Sequence, residues 1–186
     1  MPLSNSLRTD PYAMRATRRV DRPVPVRACP PRRGFVHPAG ATDIARVLDF
    51  FGPAAAYGLR GIALRQQPPA AGAGPAVAEL RVPGLVLLFE QPAPPWQLPG
   101  RLAEVAAARL RRAGAQVTTA GSGTRVDWPG HTLRDFMLFD GLMHEIGHHT
   151  IQHAADKDRT RVMRTADHER RADAYAVRAR HAWAAR

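Results

Sequence analysis

His144-Glu145-Ile146-Gly147-His148 sits within a run, starting at Thr132, that is apolar at Leu133, Phe136, Met137, Leu138, Phe139, Leu142, Met143, Ile146 and Ile151. Those positions cover most of a helix's circumference, so the run predicts a long helix buried in its domain. Thr132, with Asp135 three residues on, predicts a capping box at its start. Residues four apart share a helix face, so His144 and His148 aim two imidazoles at one point. Glu145 stands about 100° around the helix from His144. H-E-x-x-H at this spacing is a zinc signature in which the glutamate is left beside the metal as a base.

Two histidines need a third ligand. Glu169 follows His148 after 20 intervening residues, room for a polar loop over 156–164 and a returning helix. Thr165 or Asp167 caps that helix, which runs to about Ala182. Glu169 as the third ligand leaves the fourth position open, as a catalytic zinc requires. Asp173 lies on the same helix face and is placed to accept a hydrogen bond from the far nitrogen of a ligating histidine, fixing its tautomer. Ala172 and Ala176 keep that face slim. The competing reading pairs Glu169 and Asp173 with Arg170 or Arg171 on a solvated helix. In the catalytic reading, zinc acidifies water to a pKa near about 7, and Glu145 takes the proton and passes it to the leaving amine.

His149 and His153 stand about 140° around the helix from His144 and His148 and read as packed or partly solvated histidines. His168, Tyr175, Arg178, Arg180 and His181 are candidates for lining the cleft or steadying an oxyanion, and the sequence does not choose among them. Asp140 reads as a surface residue.

The pairing of H-E-x-G-H with Glu169-Arg-Arg-Ala172-Asp173-Ala174-Tyr175-Ala176 resembles the gluzincin metallopeptidases. It is similar to the motifs of the CAAX-protease/HtpX family and to those of the soluble ImmA/IrrE peptidases. The resemblance covers about residues 132–182, less than a third of the chain. It implies zinc held by His144, His148 and Glu169, Glu145 as base and Asp173 in support. It also implies an α+β fold of minimal zincin type: a small twisted sheet packed on a buried active-site helix, with a returning C-terminal helix. The absence of membrane helices sets the chain apart from membrane-embedded prenyl-protein proteases, while Asp173 fits the first family better than the second, so the clan is assigned and the family left open.

The rest of the chain fits one domain over 39–186. Its 186 residues are 45% hydrophobic and only 6% aromatic, so Leu, Val, Ile and Ala must fill the core. Ala41–Phe51 predicts a helix with Ile44, Val47, Leu48 and Phe51 on one stripe, capped by Thr42 or Asp43 and stopped by Pro53. Residues 57–65 and 76–90 predict strands, the second broken at Pro83-Gly84 ahead of a buried Leu85–Phe89. Gln67–Pro75 and the proline-rich 91–100 around Trp96 predict loops. Residues 101–112 predict a helix with a stripe of Leu102, Val105, Ala106, Arg109 and Leu110. Residues 115–119 and 124–128 predict a hairpin. An edge strand of such a sheet would hold an extended peptide, and Leu85–Phe89 or Thr124–Trp128 are the candidates.

Residues 1–38 carry seven prolines and eight arginines against two aspartates, the composition of a disordered leader. The plain reading of this leader is a solvated segment, since arginine is abundant throughout a chain of net charge +11; the sharper one is a basic arm that touches nucleic acid or an acidic partner, while the peptidase reading expects a protein or peptide substrate. Cys29 is the only cysteine, which excludes an intrachain disulfide. No apolar run is long enough for a membrane span, and the N-terminal stretch lacks a signal-peptide core, so a cytoplasmic location is expected. The alternative to a soluble zinc peptidase is a nucleic-acid-associated protein whose zinc site is structural or inactive.

Overall fold

The computed structural model describes residues 23–69, 75–81, 83–153 and 165–186. The fold is α+β. Strands β1 (Val26–Ala28), β3 (Gly61–Arg65), β4 (Ala78–Arg81) and β5 (Leu85–Phe89) form one sheet in the order β1-β3-β5-β4. The first three run parallel, and β4 closes the edge antiparallel to β5. Val86, Leu87, Leu88 and Phe89 are all buried, as a strand covered on both faces requires. Gly84, at φ +76°, makes the turn between β4 and β5, and a Cβ there would stand 2.4 Å from the Gly58 carbonyl.

Helix α1 (Ala41–Phe51) buries Ile44, Val47 and Leu48, and Asp43 reaches back to accept the Gly40 N–H at 3.0 Å. Pro53 does not simply stop the chain; it opens a single turn, α2 (Pro53–Ala56), from the first position, where a missing N–H costs nothing. β2 (Phe35–Val36) pairs with β6 (Gln91–Pro92), and β7 (Trp96–Pro99), β9 (Gly123–Asp127) and β8 (Gln116–Ala120) form an antiparallel sheet with β9 in the middle.

Several expectations are corrected. The leader does not extend to residue 38: Val26–Ala28 pairs with Ile62–Leu64, and Arg32 bonds the wholly buried Glu90. Backbone pairing, the Arg32–Glu90 ion pair and the packing of Val24 and Val26 against the core order this proline-rich segment. Residues 1–22 lie outside the described residues, as does the predicted loop at 156–164. The stretch 91–100 is not a loop. Trp96 is buried against Trp128 and Phe136 and its indole N–H bonds the Pro92 carbonyl at 2.8 Å; prolines are tolerated because β7 is an edge strand. Helix α3 (Glu104–Arg112) begins later than its apolar pattern suggests, because the Leu102 N–H goes to Thr124 Oγ1; Ala107 and Leu110 face inward and Val105 is 83% exposed. Both candidate peptide-pairing strands are interior, since β5 and β9 each have neighbours on both sides.

The helix from Thr132 changes type along its length. It comprises α4 (Thr132–Phe136), a π segment (Met137–Met143) and α5 (His144–His153). Its N-cap is His131, and no side chain closes the cap; the Thr132 hydroxyl bonds the Pro129 carbonyl instead of forming a capping box. In the π segment the His144 N–H reaches the Phe139 carbonyl, an i→i+5 bond. The last helix, α6 (Ala166–Ala184), is capped by Thr165, whose hydroxyl accepts the His168 N–H. No helix among the described residues is long and apolar enough to cross a membrane.

Candidate metal centre

The π segment sits against β4 and β5, where a Cβ on Gly141 would meet Val77 Cγ1 at 3.2 Å and Leu88 Cδ2 at 3.5 Å. This close seating leaves Leu138, Phe139, Leu142, Met143 and Ile146 buried. It carries His144, Glu145 and His148 into the interior, where they are 7%, 4% and 3% exposed. Burying polar groups costs free energy unless they find partners. Helix α6 supplies partners for the two histidines.

His144 Nε2 and His148 Nε2 stand 3.1 Å apart. Glu169 Oε2 is 3.4 Å from the first, and Glu169 Oε1 is 3.3 Å from the second. A tetrahedral ion with bonds of about 2.0–2.1 Å sets its ligand atoms about 3.3–3.4 Å apart. Each histidine nitrogen therefore stands at that spacing from one of the two Glu169 oxygens, and one ligand atom from each of the three residues lies within 4.8 Å of the others. Two nitrogens and a carboxylate oxygen also suit a borderline divalent ion. These three residues form the only such cluster of metal-binding side chains among the described residues.

Asp173 Oδ1 is 3.0 Å from His144 Nδ1. The approach is out of line with the ring N–H, since the buried Nδ1 has no well-aligned hydrogen bond. Asp173 is 63% exposed, so its side chain is free to turn onto that N–H. A proton held on Nδ1 would leave the Nε2 lone pair for a metal.

The other candidates lie elsewhere. His149 Nε2 is 3.0 Å from the Tyr57 carbonyl, beside Gly84, and so ties α5 to the turns at the sheet's end. The His153 side chain lies outside the described residues. His168 is half-buried in the first turn of α6, next to Glu169. Tyr175 packs its body against the core. Burial pushes its phenol above the usual tyrosine range despite the opposing pull of Arg178, so it remains a donor at neutral pH. Arg178 and His181 are exposed, and His181 lines a separate cavity. None of these joins the three-residue cluster.

Asp140 is not a plain surface residue. Its backbone carbonyl accepts from Arg109 Nη2 at 3.1 Å, and its carboxylate accepts from Arg180 Nη2. It thereby joins α3 and α6 to the π segment. A lone acid in an apolar helical run is the one sequence signal for this role. Comparison of the chain with protein-family models, curated proteins and solved structures gives no match.

Proposed function

We propose that the chain is a zinc-dependent metallopeptidase of gluzincin type. The supporting observation is the triangle of His144, His148 and Glu169, with the buried Glu145 one residue from the first ligand. Bound there, zinc would polarise a carbonyl and bring the pKa of water toward about 7.

The protein's own groups divide the remaining work. Glu145 accepts the proton of the attacking water and returns it to the departing amine. Asp173 steadies the His144 ring. β4, beside the π segment, is an edge strand among the described residues, and there an extended peptide would add by backbone pairing. Support for an open fourth position comes from His149, whose Nε2 is committed to the Tyr57 carbonyl. A structural zinc site would need such a fourth side chain.

The test compares wild type with Glu145→Gln for zinc content and for cleavage of a peptide library. Both proteins should hold one zinc, and the variant should lose about 10²–10⁴ in rate. Equal cleavage by the two would remove Glu145 from the chemistry, and a wild type without zinc would end the metal reading.

A further inference from the structure

Beyond the triad, residues at α3, the π segment and α6, Asp173 among them, line a cavity of about 200 Å³. Three arginines, Arg109, Arg112 and Arg180, line it together with His181. Only two carboxylates, Asp140 and Asp173, oppose them there. Asp140 takes a bond from Arg180 Nη2, and its carbonyl takes one from Arg109 Nη2. Each guanidinium has five N–H donors, so both retain donors for another acceptor while Asp140 holds them in place. Arg112 has no ion-pair partner among the described residues. Ala113, Ala176 and Val177 give the cavity an apolar wall.

We propose that this cavity binds a small oxyanion, a carboxylate or phosphate group carried on a short apolar stem, with Arg112 as its main contact. The positive excess favours an anion, the unpaired Arg112 offers it a charged fork, and Arg109 and Arg180, held by Asp140, add donors at little ordering cost. The volume lies below the ~300–1,000 Å³ of sites for drug-sized ligands, which restricts the ligand to a few heavy atoms. The apolar wall favours a stemmed anion over a bare one. None of this depends on the metal or on peptide cleavage.

The experiment titrates metal-free, full-length protein with butanoate and, separately, with inorganic phosphate, following the arginine Nε–H signals by NMR. Wild type should saturate with butanoate at millimolar concentration. Arg112→Gln should weaken that binding about tenfold, the scale of one charge-assisted hydrogen bond. Arg125→Gln, which removes the same charge from the β8–β9 hairpin, should leave it within about twofold, because screening confines exposed charges to short range. Saturation by phosphate alone would keep the site and identify a bare phosphate as the ligand. Equal weakening by the two substitutions would reduce the effect to net charge, and absence of saturation by both anions would overturn the site.

Discussion

Gly147 of α5 lies so close to Ala172 of α6 that a Cβ on it would stand 3.1 Å from the Ala172 Cα and 3.3 Å from the Ala172 carbonyl oxygen. Both obstacles are backbone, so no side chain can yield by changing rotamer. The separation of the two helices, and hence the reach from the imidazoles to Glu169, depends on that missing methyl group.

Gly147→Ala should therefore act against its own helix propensity. Alanine favours a helix by about 1 kcal/mol over glycine, but overpacking two helix backbones costs about 1–3 kcal/mol. The expected result is a net loss of stability in urea unfolding together with weaker zinc binding in a competition assay. A variant that gained stability and kept its zinc affinity would refute the close-packing argument.

Asp173→Asn should weaken zinc binding about 10–100-fold, the usual effect of removing a partner behind a ligating histidine. The side chain is 63% exposed, so the unfolding midpoint should barely move. An unchanged zinc affinity would mean that Asp173 does not orient His144.

Glu90 predicts an acid limb in the stability curve. Burial alone would raise its pKa. Hydrogen bonds from the Arg32 N–H, the Arg32 side chain and the Gln67 N–H outweigh burial and hold it below the usual 4.5. A carboxyl with a lowered folded-state pKa contributes stability that is present above the unfolded value and is lost as pH falls through the folded one. Wild type should lose stability more steeply than Glu90→Gln as pH falls below about 4.5. Parallel curves for the two proteins would contradict this.

Asp140→Asn tests the junction of α3, α6 and the π segment. Arg180 and Asp140 are 23% and 22% exposed, so their pair is only partly screened by water. Hydrogen bonds to charged groups contribute about 1.5–3 kcal/mol, and partial exposure lowers the expected loss to about 1–2 kcal/mol. A double-mutant cycle with Arg180→Gln should show coupling, and strictly additive losses would place the two residues out of energetic contact.

The two ligand-bearing helices are legible in the sequence because 3.6-residue periodicity and four-residue spacing are local properties. Thr165 is readable for the same reason, as a cap needs only its neighbours. β1 and β2 are not legible: strands of three and two residues among prolines are too short to show alternation. The interior position of β5 and β9 is also hidden, since strand order depends on pairing between distant segments. Val105 misleads because its apolar spacing fits a helix starting earlier than α3 does. The π segment leaves no mark in the pattern, for a helix apolar on every side looks alike whatever its hydrogen-bond reach.

That widened stretch has one further consequence, which concerns phase. Each i→i+5 bond spreads a turn over an additional residue, so the helix emerging after Met143 is out of step with the one entering at Met137. Winding the same seven residues as plain α-helix would swing His144 and His148 by about 100° relative to Phe136. Every letter of the signature would survive, yet both rings would turn away from α6. The wide turns upstream are thus as much a determinant of the ligand set as the histidines themselves.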